Sequence, residues 1–194
     1  MDWNVCYPQP QFDTDNVLFD LNYFKYCFLK TTEIDFHELK LEANFRLMAK
    51  DLAMHDDVSG IESQSFMYRD FQARNVMLDN KGNPYFIDFQ GGRRGPYYYD
   101  VASFLWQASA HYSPALRREM IGEYYDALKQ YIEVPNEKTF NERLQLFVLF
   151  RTLQVLGAYG FRGRFERKKH FIDSIPPAVE NLRTLLSEND FPYP

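Results

Sequence analysis

Apolar residues recur at three- and four-residue intervals over most of this chain, and that period predicts a mainly helical protein. Val17, Leu18, Leu21, Phe24, Phe28 and Leu29 predict a helix from Asn16 to about Lys30, with Asp15 or Asn16 as its cap. A second helix, starting after Thr32 or Asp35, carries Phe36, Leu39, Ala43, Leu47, Leu52 and Ala53. Glu38 and Glu42 are expected on its wet face, and Gly60 marks the break after it. Residues 1–16, with Pro8 and Pro10, read as an extended lead-in.

Four further helices are predicted beyond residue 97. One starts near Asp100, its candidate cap, and carries Val101, Phe104, Leu105 and Ala108. The next has Pro114 in its first turn, runs through Leu116, Met120, Ile121, Tyr124, Tyr125 and Leu128, and ends before Pro135. The stretch 138–159 is apolar on more than one face and is expected to be the most buried helix. Phe171, Ile172, Ile175, Val179, Leu182, Leu185 and Leu186 describe the last, interrupted or begun by Pro176 and Pro177.

The helical period fails between Met67 and Asp88. There Val76, Met77 and Leu78 read as one strand and Tyr85, Phe86 and Ile87 as its return, joined by the turn Asn80-Lys81-Gly82-Asn83. The predicted fold class is therefore α+β, mainly α-helical, with one small β-hairpin in a single domain spanning 1–194. The hairpin sets Asn75 at its start and Asp88 at its exit, so two side chains 13 positions apart meet at one end. Asp70 and Asn75 also carry the Arg-Asp-x-x-x-x-Asn spacing of a phosphoryl-transfer loop. One carboxylate can take a proton from a hydroxyl, while an amide and a second carboxylate supply the hard oxygens that magnesium prefers.

A formal charge of −5 argues against a general binder of nucleic acid or of anionic membranes, so neither partner is expected. Cys6 and Cys27 show no metal-ligand spacing and read as reduced thiols, which points to the cytoplasm. The start of the chain has no basic, apolar leader pattern, and no apolar run is expected to reach the length of a membrane span. His37, His55, His111 and His170 are not spaced as ligands. Tyr97-Tyr98-Tyr99 is expected in the core and the basic stretch 162–169 as a solvated connection. Arg93 and Arg94 are expected on an exposed Gly-rich loop at 90–96, from which they could face phosphate.

These residues together resemble the aminoglycoside phosphotransferase and choline kinase-like family, whose members have the catalytic lobe of protein kinases. The resemblance runs through Tyr68-Arg69-Asp70-Phe71-Gln72-Ala73-Arg74-Asn75, Ile87-Asp88-Phe89-Gln90, Gly95-Pro96 and Tyr99-Asp100-Val101-Ala102-Ser103. It is nearest to the bacterial branch that includes kinases of the cell-wall amino sugars N-acetylmuramate and N-acetylglucosamine. It implies ATP and Mg2+ as cofactors, and a sugar, amino sugar or aminoglycoside hydroxyl as acceptor. Residue by residue, it implies Asp70 as the catalytic base with Arg69 beside it. Asn75 and Asp88 become the metal ligands, Arg74 a neighbour of the nucleotide phosphates, and Asp100 a structural acid bracing the loop.

Two departures stand out. Tyr68 occupies the position where the family usually has His, and an aromatic ring there is expected to preserve the loop by packing and hydrogen bonding. Residues 1–66 carry no strand-rich, Gly-loop-bearing segment, and Gly60 is their one glycine. The chain therefore reads as the kinase-like C-terminal lobe alone, a truncated product or a fragment of a longer protein, with the missing N-terminal nucleotide lobe on the same or another chain. Such a lobe is expected to bind ATP weakly and transfer phosphate poorly alone, since this chemistry rests on positioning and charge. The alternative is a pseudokinase-like binding or regulatory module without catalysis.

Overall fold

The computed structural model describes residues 2–6, 9–53 and 65–193. Its elements are α1 (Thr14–Cys27), α2 (Glu38–Leu52), β1 (Ser65–Met67), β2 (Val76–Leu78), β3 (Pro84–Phe86), β4 (Arg93–Gly95), α3 (Tyr98–Leu105), α4 (Pro114–Leu128), α5 (Glu137–Tyr159) and α6 (Lys169–Glu188). Short 3-10 turns join several of them, and a π-helical turn follows α5 at Gly160–Phe165. The protein is mainly helical, as its hydrophobic period predicts. The chain falls into two compact units, Met1–Phe12 with Asp56–Leu144, and Asp13–His55 with Gln145–Pro194.

In the first unit β2 pairs antiparallel with β3, with Met77 opposite Tyr85, which is the predicted hairpin. Asp79 closes its turn: the carboxylate accepts from the Lys81 N–H at 2.8 Å, the Asn83 N–H at 2.9 Å and Asn83 Nδ2 at 2.8 Å. Gly82 takes the left-handed φ of 83° that the turn requires.

A second antiparallel pair, β1 with β4, replaces the loop expected at 90–96. Arg93 is 3% exposed within it, and Arg94 donates from Nη2 to Gln11 Oε1, so neither stands on an exposed phosphate-facing loop. The free edge of β4 is occupied as well. Arg94 N donates to Pro10 O at 3.0 Å and Phe12 N donates to Arg94 O at 2.8 Å, so the extended lead-in is tied to the sheet, with Phe12 buried against Tyr99. Tyr97, Tyr98 and Tyr99 are core residues, as expected. Phe140 packs at 5.0 Å from the rings of both Tyr98 and Tyr125. Tyr124 donates to Tyr97 O at 2.7 Å, and burial raises its phenol well above the ordinary value, with Asp100 and Tyr97 adding to the effect.

In the second unit the cap of α1 is Asp13, whose Oδ1 accepts from Asn16 N at 2.9 Å, rather than Asp15 or Asn16. Helix α2 is capped by His37 Nδ1. The buried face of α2 is Phe45, Met48, Ala49 and Leu52, while Leu39 and Leu47 are exposed, so the expected stripe is rotated. The rotation has an electrostatic counterpart. Lys25 of α1 is 2% exposed and pairs with Glu42, whose side chain is 21% exposed and so leaves the wet face assigned to it, while Glu38, 48% exposed, keeps that face and reaches Lys25 at 3.5 Å. The predicted break at Gly60 lies outside the described residues.

The π-helical turn lies directly on the end of α1, because a Cβ at Gly160 would stand 2.2 Å from Cys27 O. Glycine is the residue that permits this approach. The basic residues Arg162, Arg164, Arg167, Lys168 and Lys169 are exposed, as expected, and some of them also make contacts. Arg164 donates to Thr31 O at 2.8 Å and lies over the Phe28 ring, Arg162 lies over Phe171, and Lys168 pairs with Glu166 at 2.7 Å. Helix α6 continues through Pro176 and Pro177, its buried Ala178 and Leu185 two turns apart on one face.

One correction concerns membranes. The continuous helix Glu137–Phe165, 29 residues, is long and apolar enough by length and composition to cross one. Arg143 and Arg151 break the run when the sequence is read linearly. Of its most apolar window 61% is buried within the protein, the behaviour of a core helix.

Candidate active site

The loop between β1 and β2 holds Asp70 and Asn75, and its backbone is fastened by side chains distant in sequence. Asp100, in the first turn of α3, accepts from Tyr68 N at 2.6 Å and from Arg69 N at 2.8 Å. It is therefore a brace for the loop and not the helix cap that its position suggests; Tyr97 stands at the cap. Gln107, just beyond α3, accepts from Ala73 N at 3.0 Å through Oε1. Nothing local in the sequence marks Gln107, because its partner lies 34 positions away.

Asn75 is 6% exposed and donates from Nδ2 to the main-chain oxygen of Asp70 at 2.8 Å. With its NH2 group anchored there, its Oδ1 is the end left to act as a ligand. Ile87 N donates to Asn75 O at 3.0 Å, extending the hairpin register by one pair and placing Asp88 next to the start of β2. The Asp70 and Asp88 carboxylates are exposed and accept no hydrogen bond among the described residues. Arg69 (φ 74°) and Asp88 (φ 69°) both hold left-handed backbone, a conformation that non-glycine residues adopt at some energetic cost. The Arg69 side chain lies against Gly91, and Arg74 is exposed on the 3-10 turn Ala73–Asn75 with no polar partner among the described residues.

Tyr68 binds these parts together. Its hydroxyl donates to Ile87 O at 2.5 Å, immediately before Asp88, and its ring contacts Phe66, Phe71 and Phe89. Burial raises its phenol above the ordinary value, and the carboxylates of Asp88, Asp100 and Asp70 raise it further. The phenol therefore stays protonated at neutral pH and remains a donor. Tyr68→Phe keeps the ring contacts and removes this one bond. We expect a loss of about 1 kcal/mol in stability, measured by denaturant titration, and a few-fold fall in turnover.

The donor set fits magnesium by its chemistry, an amide oxygen and a carboxylate being the hard ligands that ion takes. Among the described residues no group of three His, Cys, Asp or Glu side chains is clustered as a metal site. A site with few protein ligands suits a metal that arrives with phosphate oxygens.

In this mainly helical protein an Arg-Asp-x-x-x-x-Asn loop is fastened beside a hairpin that ends in Asp. The chain belongs to the phosphotransferase enzyme family, whose model matches residues 31–133. It is also similar to the N-acetylmuramate/N-acetylglucosamine kinase of Neisseria meningitidis serogroup B (strain ATCC BAA-335 / MC58), at 25% identity over 182 residues. That match covers 90% of this chain and 52% of the relative, so the chain spans about half the length of the curated relative it matches.

Proposed function

We propose that the chain is the catalytic lobe of an ATP-dependent, cytoplasmic small-molecule kinase that phosphorylates a hydroxyl of a sugar, amino sugar or aminoglycoside. The observation that carries this reading is the joint anchoring of Asp70, Asn75 and the Asp88 segment through the Asn75–Asp70 and Ile87–Asn75 hydrogen bonds. The family match and the name of the relative support it, and the half-length match is compatible with a nucleotide lobe supplied from elsewhere.

In this reading Asp70 orients the acceptor hydroxyl and takes its proton as the oxygen forms a bond to the γ-phosphorus, while the bond to the β-phosphate oxygen breaks and ADP leaves. Asn75 Oδ1 and Asp88 would hold magnesium, which when bound with nucleotide offsets the charge on the phosphates. Arg69 and Arg74 would add positive charge near those groups. Asp100 keeps the loop in the geometry these roles need.

The test is a phosphate-transfer screen with ATP and Mg2+ against amino sugars, aminoglycosides and choline. It uses the chain alone and joined to whatever nucleotide-binding segment its gene encodes upstream. Transfer to a sugar hydroxyl, enhanced by the longer form, is the expected result. Nucleotide binding without transfer to any acceptor would instead favour a pseudokinase-like module.

A further inference from the structure

The stretch Tyr68–Asn75 has to hold Asp70 at a fixed place, yet it is a loop, and its backbone N–H groups find few partners within itself. The Asp70 N–H bonds Tyr68 O at 3.1 Å and the Asn75 N–H bonds Gln72 O at 2.9 Å. The N–H groups of Tyr68, Arg69 and Ala73 are taken by side chains from outside the loop: Asp100 takes the first two and Gln107 the third. Asp100 reaches the loop from the first turn of α3, and Gln107 reaches it from just beyond the end of the same helix. One fastens the chain just before Asp70 and the other just after it.

Gln107 is itself held. Its Nε2 donates to Ser109 Oγ at 2.9 Å, which fixes the amide so that Oε1 faces Ala73. The turn that carries it is tied to α4, where Arg117 donates from Nε to Leu105 O at 3.0 Å and lies 5.1 Å over the Trp106 ring. A polar side chain oriented this way, on a turn anchored this way, does more than fill space.

We propose that Gln107 is a positioning residue for phosphoryl transfer, acting through the Ala73 N–H to hold the exit of the Asp70 loop as Asp100 holds its entrance. The inference rests on the reading of Asp70 as the proton acceptor. Without the Gln107 bond the segment 71–74 gains freedom on the side of Asp70 that Asp100 does not reach, and the hydroxyl-orienting geometry is populated less often.

The experiment compares the wild-type protein with Gln107→Met, Gln107→Glu and Asp70→Asn in the most active form found in the transfer screen. Two readouts are taken: steady-state kinetics, and hydrogen exchange at the Ala73 amide. Gln107→Met is close in size and removes the acceptor; we expect kcat to fall about tenfold with acceptor and nucleotide KM within twofold, and Ala73 exchange to speed up by a similar factor. Gln107→Glu keeps an acceptor oxygen and is expected to restore both. Wild-type kcat and exchange in Gln107→Met would overturn the proposal. So would equal losses in Met and Glu variants that track a lowered Tm, since those would mark a packing role. If Asp70→Asn retains turnover the underlying reading fails instead. Exchange at Ala73 then still decides whether Gln107 holds the loop.

Discussion

Asp70→Asn is expected to lower turnover by about three orders of magnitude, within the range that a positioned general base contributes, while leaving Tm and the acceptor KM near wild type. The structure explains why these effects separate. What Asp70 gives to the fold is main-chain: its N–H bonds Tyr68 O, and its carbonyl accepts from Asn75 Nδ2. Its side chain is exposed and accepts no hydrogen bond among the described residues, so replacing a carboxylate by an amide of the same shape disturbs no packing. The amide can still sit near the acceptor hydroxyl but cannot take its proton. The measurement is kcat and KM for the best acceptor alongside a thermal melt, with Asp88→Asn as a companion. On the roles proposed above, the Asp88 variant is expected to show its loss mainly as a raised Mg2+ requirement, since there a ligand charge is removed rather than a base. Turnover within tenfold of wild type in Asp70→Asn would remove Asp70 from the chemistry.

What could be read from the sequence depended on how far apart the interacting residues lie. The β2–β3 hairpin is local: the turn Asn80-Lys81-Gly82-Asn83 sets the register, and the register places Ile87 opposite Asn75. The long helices follow from period alone, and α4 and α5 begin within a residue of their predicted starts. The pair β1–β4 was not legible, since Ser-Phe-Met and Arg-Arg-Gly show no alternation and their partners come from opposite sides of the Tyr68–Asn75 loop and the β2–β3 hairpin. Its two arginines consequently look exposed in sequence, whereas one is buried and the other is bonded to Gln11.

The same rule separates the residues of the candidate site. Asp70, Asn75 and Asp88 stand within one motif and announce themselves by spacing. Asp100 lies 31 and 32 positions from the N–H groups it receives, and composition offers a helix cap as an equally good explanation; only the resemblance suggested the brace. Gln107 carried no signal at all. Tyr68 was expected to support the loop by packing and hydrogen bonding, but the identity of its acceptor, Ile87 O, depends on how the hairpin folds back.

The second unit hides its most consequential pair for a related reason. A lysine at 2% exposure cannot be guessed from a helical stripe in which Lys25 sits between Phe24 and Tyr26, yet it joins α1 to α2 through Glu42 and Glu38. Glu42→Gln is expected to destabilise the protein by about 3 kcal/mol, the low end for an orphaned buried charge, because Glu38 at 3.5 Å still offers partial compensation. For a chain of this size that corresponds to a fall in Tm of about 8 °C.

The pH dependence distinguishes this electrostatic cause from lost packing. In the wild type, burial lowers the Lys25 pKa, but hydrogen bonding and charge from Glu42, together with Tyr26, outweigh it, and the net value is raised. A raised folded-state value contributes stability that is fully present below the ordinary lysine pKa of about 10.4 and is lost as pH rises through the folded value. In Glu42→Gln burial dominates and the value falls below ordinary, so the variant should gain stability relative to wild type as pH rises from 8 to 10. A gap between the two that stays constant over that range would refute the charge argument. A double variant, Lys25→Met with Glu42→Leu, removes both charges and should recover most of the lost stability, since a buried ion pair can be replaced by apolar side chains of similar volume at little cost.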